Sequence, residues 1–476
     1  MSGADSPGRD AWRDAARRAL KGADVEALAR PTVDGLPIQP LYGPEAADNA
    51  LAPGRPDGAG WDIRGEVGEG DPAQANSHVL EALEGGCASV LLRIDPTGEA
   101  GCAVGSAEAL ARALQGVALE AATVAVDAGL AGPATARWLG ALAKDAPAAR
   151  LALHLDPLGA FALTGSSPGP IGGHVEAAAQ AAAALAPAYP AASLFLASGR
   201  AAHEAGGSAA QELAMAAAAA VAYARALTAA GMSRQGAFER LVLGVAADGD
   251  VLVSIAKLRA ARLMWANIAN ACAVDAPAVI EARSSRRMLT ARDPWSNLIR
   301  LTTAGFAAAV GGADAIVLAP FTDAIGPPTK RARRLARNTQ LILLDEAMLG
   351  RAADPAAGAW AFEALSLELA REAWRLFQAI EAGGGLAAAL SSGLIAREVE
   401  SVRRSRAEAM AADEIGIVGV NLFPDPIPAP AQVEAASPPS GAELDVRLAG
   451  ADSRCAPLTP LRLAAQAEQV LADLDP

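Results

Sequence analysis

From about residue 75 onward, short apolar runs alternate with longer alanine-rich stretches. The runs are ASVLLRID (88–95), ATVAVDAG (122–129), RLALHLDP (150–157), ASLFLASG (192–199), RLVLGVAA (240–247), APAVIEAR (276–283) and ADAIVLAP (313–320). They are nearly continuous in Val, Leu, Ile and Ala, the pattern of strands covered on both faces. The stretches between them, such as 106–118, 174–187, 208–230, 251–273 and 297–310, carry helix-forming residues. The alternation predicts parallel β/α units and an α/β fold. Seven runs by residue 320, with an eighth expected after the helix near 330–339, close most naturally as a (β/α)8 TIM barrel. A doubly wound open sheet is the alternative, but no G-x-G-x-x-G follows the first run.

The flanks read differently. Residues 10–29 predict a helix rich in Arg and Ala. The segment that follows, to about residue 60, is punctuated by Pro and Gly and predicts an extended arm, because the residue before a proline is pushed away from helix. Such an arm gains burial only by lying on a surface, either its own barrel or a partner chain. Residues 362–414 predict helices and EIGIVGVNLF (414–423) a final strand. Residues 424–445 form a Pro/Ser/Ala linker, and the last thirty or so have room for one strand and one helix. The expected organisation is an arm (1–60), a barrel (61–361), a helical extension of it (362–423), and a linker with a short tail (424–476).

Composition narrows the function. Of 476 residues, 52% are hydrophobic, enough for a large core, and Lys+Arg 40 against Asp+Glu 53 gives a net charge of −13. An acidic chain of pI ≈ 4.9 argues against non-specific binding to nucleic acid or to an anionic membrane. Cys87, Cys102, Cys272 and Cys455 are far apart, with no CxxC pair, and read as reduced thiols of a cytoplasmic protein. The N-terminus has charges throughout and no apolar core, so it does not read as a signal peptide. The alanine runs are interrupted and lack the sustained Leu/Ile/Val/Phe content of a spanning helix.

Candidate chemistry is sparse. WDIRGEVGEG (61–70) holds an arginine, three glycines and three acids, and reads as lying just before the first strand. In RDPWSN (292–297), Asp293 is placed to cap a helix whose first position is Pro294. TKRARRLARNTQ (329–340) concentrates Lys330, Arg331, Arg333, Arg334 and Arg337, the spacing of a solvated helix face, with a phosphate patch as the other reading. His78, His154, His174 and His203 show no metal-ligand spacing. His154 lies on a strand and is expected in the core or the barrel lumen. His203 falls on the C-terminal side of a strand, where barrels place chemistry, but needs a partner to act. No G-x-S-x-G, P-loop or convincing Ser/His/Asp set is evident.

Several stretches, taken in order, resemble the cobalamin-dependent methylmalonyl-CoA mutase family, and within it the small (β) subunit of the heterodimeric bacterial enzyme. They are LKGADVEALARPTVDGLPIQPLY (20–42), GWDIRGEV (60–67), SVLLRID (89–95), HEAGGSAAQELA (203–214), RSSRRMLTARDPWSNLIRLTTAGFAAAVGGADAIVLAPF (283–321), RRLARNTQLILLDEAMLGRAADPAAGAW (333–360) and GVNLFP (419–424). The resemblance implies a TIM barrel. In the family's catalytic subunit acyl-CoA threads the barrel axis past small polar residues, and a C-terminal flavodoxin-like domain holds cobalamin through a D-x-H-x-x-G histidine. The cofactor supplies the radical rearrangement of methylmalonyl-CoA and succinyl-CoA, and the protein positions and shields it.

Measured against that pattern, this sequence departs at the positions that matter. After Trp-x-Ile-Arg the catalytic subunit reads Gln-Tyr, with the tyrosine near cofactor and substrate; here Gly65 and Glu66 stand there. Its Tyr-His-x-x-Glu-Ala-Gly, whose histidine contacts the substrate carbonyl, aligns with Arg200 and Ala201, and His203 is two positions away. No D-x-H-x-x-G occurs, so no cobalamin-binding flavodoxin-like domain is expected. Glu66 and Ala201 are therefore degenerate positions, and no catalytic, cofactor-binding or metal-binding residue is expected in this chain. The leading expectation is a non-catalytic partner of a large catalytic subunit that carries adenosylcobalamin, joined in a heterodimer. The alternatives are a catalytic acyl-CoA mutase barrel served by a separate cobalamin-binding chain, or a stand-alone CoA-binding regulator.

Overall fold

The computed structural model describes residues 8–43, 55, 60–95, 101–435 and 453–474. Its centre is a closed barrel of eight parallel strands. In chain order these are β1 (Asp62–Val67), β2 (Ser89–Arg93), β3 (Thr123–Asp127), β4 (Leu151–Leu155), β5 (Ser193–Ser198), β6 (Leu241–Ala247), β7 (Ile280–Ser284) and β8 (Ala315–Val317). Each strand pairs with its sequence neighbour, and β8 closes on β1 through Ala315 opposite Asp62 and Ile316 opposite Ile63.

Helices follow every strand and form the outer ring, among them Pro72–Glu84, Gly132–Leu142, Ile171–Leu185, Ala209–Ala229, Val251–Ala271, Asn297–Val310 and Lys330–Leu341. The α/β barrel expected from the periodicity is present. Two expectations about its strands are corrected. WDIRGEV is not a loop ahead of the first strand but is itself β1. Among the described residues no barrel strand follows the helix Lys330–Leu341, which instead runs on into a π-helical turn at Ile342–Glu346; β1 supplies the eighth strand. The charged residues that made β1 look like a loop point into the barrel, where they meet counter-charges. Its other face is tightly packed: a Cβ on Gly65 would sit 2.9 Å from the Cβ of Ala82 on the helix behind it.

A third correction concerns EIGIVGVNLF. It forms no strand. Asn421 folds it into a turn, accepting from the Ile417 amide at 2.7 Å and donating to the Ile415 carbonyl at 2.9 Å. The helical extension is observed as Trp360–Ala382, Leu386–Ser391 and Leu394–Ala411. Helix Asn297–Val310 starts three residues later than Pro294, with Asp293 accepting from the Ser296 amide at 3.3 Å. Helix Ala209–Ala229 is long and apolar enough to cross a membrane, but 67% of that stretch is buried against the barrel and its neighbours.

The N-terminal helix is shorter than expected, Arg9–Ala19, and stops where Lys21 and Gly22 adopt positive φ. The segment after it is partly committed to this chain's own barrel. A hairpin of two-residue strands (Arg30–Pro31 and Pro37–Ile38) carries Asp34, which accepts from the Ala210 amide at 3.0 Å and so caps helix Ala209–Ala229. Arg55 donates to the Ala309 carbonyl at 2.8 Å and lies over the Trp61 ring. Helix Arg9–Ala19 itself fully buries no residue and packs on the 3-10 turn Val25–Leu28.

Candidate functional site: the barrel lumen and its C-terminal mouth

Alternate residues of each strand face the barrel axis. Here two sets of side chains block that interior part-way along the axis. Leu91, Ala125, Ala152 and Val317, from β2, β3, β4 and β8, form an apolar cluster separate from the main core outside the barrel. Around it runs a ladder of ion pairs. Arg64 of β1 donates to Asp62 at 2.6 Å, to the Ser89 hydroxyl at 2.8 Å, and to Glu281 of β7. Arg283 of β7 donates to Glu281 at 2.7 Å and across the axis to Asp127 of β3 at 2.9 Å. Arg64, Glu281 and Arg283 are all almost completely buried.

The physical chemistry holds these groups charged. Burial alone would raise the Glu281 carboxyl, but Arg283 and Arg64 outweigh it and hold the group well below the usual carboxylate range. His154 of β4 sits in the same layer, 3.5 Å from Glu281 and 3.4 Å from Arg64. Burial lowers its pKa to about 4, so the ring is neutral at pH 7. Its backbone has φ +41, at a break in the register between β4 and β5. On the N-terminal side of this layer lies a cavity of about 390 Å³, with Arg64, His154 and Glu281 on its walls.

The C-terminal mouth, where barrels of this kind place chemistry, is closed by a second ion cluster. Glu66, at the end of β1, accepts from Arg93 and from Arg286, each at 2.8 Å. Arg286 also donates to Asp323 at 2.7 Å. Burial pushes the Glu66 carboxyl up, but Arg286 and Arg93 more than offset this and hold it well below the ordinary range. Ala201 is buried in the short helix Arg200–Glu204 as part of the main hydrophobic core. Neighbouring Arg200 is half-buried, and burial and Arg283 together lower its pKa to about 10.

The structure also assembles a constellation that sequence spacing did not reveal. His203 Nε2 lies 2.8 Å from Ser285 Oγ, and its Nδ1 3.1 Å from Glu212. The order resembles nucleophile, base and acid. Ser285 and Glu212 are fully buried, however, so no substrate carbonyl can reach the hydroxyl. Lys257 pairs with Glu212 at 2.5 Å, and burial lowers the His203 pKa. These residues form a satisfied polar network between the β5, β6 and β7 ends. Only the structure could find it, because its members are 82 and 45 residues apart.

The basic helix Lys330–Leu341 is likewise engaged within the chain. Arg333 pairs with Glu81 at 3.0 Å and Glu434 at 3.2 Å, and Arg331 stacks over Trp295.

A profile of the methylmalonyl-CoA mutase family matches residues 52–443. The chain belongs to the methylmalonyl-CoA mutase family. It is 40% identical over 439 residues to a protein of Streptomyces virginiae named methylmalonyl-CoA mutase small subunit, covering 88% of this chain and 70% of that one. It is 38% identical to a probable methylmalonyl-CoA mutase small subunit of Mycobacterium tuberculosis, covering 82% of this chain and 64% of the relative. A methylmalonyl-CoA mutase small subunit of Propionibacterium freudenreichii subsp. shermanii is 34% identical, with 83% and 63% covered. The chain therefore spans about two-thirds of the length of these relatives. Methylmalonyl-CoA mutases are cobalamin-dependent as a family.

Proposed function

We propose that this chain is the non-catalytic small subunit of a methylmalonyl-CoA mutase. It pairs with a large catalytic subunit and stabilises it, while the large subunit carries adenosylcobalamin and interconverts methylmalonyl-CoA and succinyl-CoA. The observation that carries this reading is that the lumen is blocked, above its N-terminal cavity, by an apolar layer and an ion-pair ladder. An acyl-CoA arm along the barrel axis would have to displace both the Leu91 layer and the Arg64–Glu281–Arg283 ladder. Breaking a buried ion pair costs about 3–5 kcal/mol, and no contact on the axis offers compensation.

The same mouth does not suit cobalamin. A corrin resting there would meet Glu66, Arg93, Arg286 and Asp323, locked in ion pairs. These residues do not fit the apolar face of the group. No step of the reaction is therefore assigned to this chain's residues. Glu66 and Ala201 are read as positions where chemistry has been replaced by packing and charge pairing.

Helix Arg9–Ala19 supports the partner role. It carries Trp12, half-buried, on an otherwise Arg- and Asp-rich helix, and none of its residues is fully buried by this chain. It is the natural element to lie on the large subunit.

Co-expression with a candidate large subunit, with a purification tag on this chain alone, tests the proposal. Methylmalonyl-CoA conversion with adenosylcobalamin is expected only in the co-purified pair. Turnover by this chain alone would overturn it.

A further inference from the structure

The tail lies outside everything assigned so far, yet it is tied to three of the loops that ring the barrel's C-terminal mouth. Ser453–Arg454 pairs antiparallel with Ser166–Ser167, in the connection after β4. The Cys455 amide donates to the Gly165 carbonyl at 2.9 Å, and the Leu458 amide to Ala162 at 2.8 Å. Further along, the Leu461 amide donates to the Glu204 carbonyl, after β5, at 2.9 Å. The Leu463 amide donates to the Arg287 carbonyl, after β7, also at 2.9 Å. Glu468, in the final helix Ala465–Leu474, accepts from the Ala291 amide at 2.6 Å and the Arg292 amide at 3.2 Å. Arg462 pairs with the same carboxylate at 2.6 Å. Leu458 and Ala464 are almost fully buried, so the segment is packed as well as hydrogen-bonded.

The loop after β7 is where these contacts acquire a consequence. Its Arg286 and Arg287 amides are both held by the Glu204 carboxylate, at 3.2 and 3.0 Å. Its Arg286 side chain seals the mouth on Glu66 and Asp323. The tail holds this loop from both sides: through the Glu204 and Arg287 carbonyls at one end, and through Ala291 and Arg292 at the other. We propose that residues 453–474 act as a latch, holding the loop after β7 so that Arg286 stays on Glu66 and the C-terminal mouth stays shut. The proposal rests on the closed lumen described above and adds what keeps it closed. A carboxylate at residue 468 is suited to this, because the Ala291 and Arg292 amides and the Arg462 guanidinium converge on it.

Hydrogen exchange resolved to single amides on the full chain tests the latch. The comparison is between the parent, Glu468→Ala, Glu468→Gln and a remote control, Glu372→Ala, on the outer helix Trp360–Ala382. Among backbone amides, Glu468→Ala directly releases those of Ala291 and Arg292 from the carboxylate, and it also removes the Arg462 ion pair. A latch requires that the Arg286 and Arg287 amides, which do not touch Glu468, also exchange roughly tenfold faster or more. Glu468→Gln retains an acceptor oxygen and should lie between that variant and the parent, and Glu372→Ala should match the parent. Faster exchange confined to Ala291, Arg292 and the tail would overturn the proposal. So would a uniform rise that includes β2 and β3, since a latch acts at one end of the barrel. The closed-lumen reading fails separately, if the parent chain binds an acyl-CoA.

Discussion

Arg64 is the residue on which the lumen depends most. It meets Asp62, Glu281 and Ser89 at once and is nearly sealed from water. Arg64→Met leaves half-buried Asp62 without its cation and Glu281 with Arg283 alone, and should lower unfolding stability by about 2–3 kcal/mol. Replacing the pair together, Arg64→Met with Glu281→Leu, should cost less than the two single changes summed, read by urea denaturation. His154 gives a pH signature. Its folded pKa of about 4 lies below the unfolded value near 6.5. The unfolded chain therefore binds the extra proton first. The stability this histidine contributes is present above pH 6.5 and is lost as pH falls toward 4, at up to about 1.4 kcal/mol per pH unit. His154→Gln should flatten that part of the stability profile relative to the parent. Asp156, whose pKa burial raises to about 7, acts in the opposite direction and is common to both proteins. At this scale the sequence reveals that Glu66 is out of character for a cofactor site. It cannot reveal why the charge is tolerated, because the partners Arg93 and Arg286 lie 27 and 220 residues away.

Among elements, seven of the eight strands are legible because they are apolar on both faces. β1 escapes for the opposite reason: Asp62, Arg64 and Glu66 alternate with Ile63, Gly65 and Val67, and only a barrel interior that supplies counter-charges makes such a segment a strand. The misreading at 414–423 is the converse. Val420 is buried, but Val418, Leu422 and Phe423 stay exposed, Phe423 at 81%, because Asn421 and Gly419 fold the chain into a turn and not a strand. The arm splits into two parts with separate expectations. Asp34→Ala removes a cap and a favourable charge from helix Ala209–Ala229 and should cost about 1 kcal/mol of the chain's own stability. Trp12→Ala, at the one large apolar and half-buried side chain of its helix, should lower the thermal midpoint of the isolated chain only slightly yet reduce retention of a large subunit in pull-down. A fall in the midpoint alone would place that helix on its own barrel instead.

Across the whole molecule, one fold has been kept while its axis has been given to packing and charge pairing. The alternation of strands and helices made the barrel legible, and the ordered set of matching stretches made the family legible. Whether the lumen is open was not, since the inward-facing set is fixed only once strand register is known. Equilibrium binding of methylmalonyl-CoA to the isolated, folded chain, with adenosylcobalamin present, tests the closed barrel most directly. The structure predicts no saturable binding at any concentration that fills an acyl-CoA mutase site. One mole bound per mole of chain, competed by succinyl-CoA, would mean that the Arg64–Glu281 ladder yields to substrate, and would contradict the account.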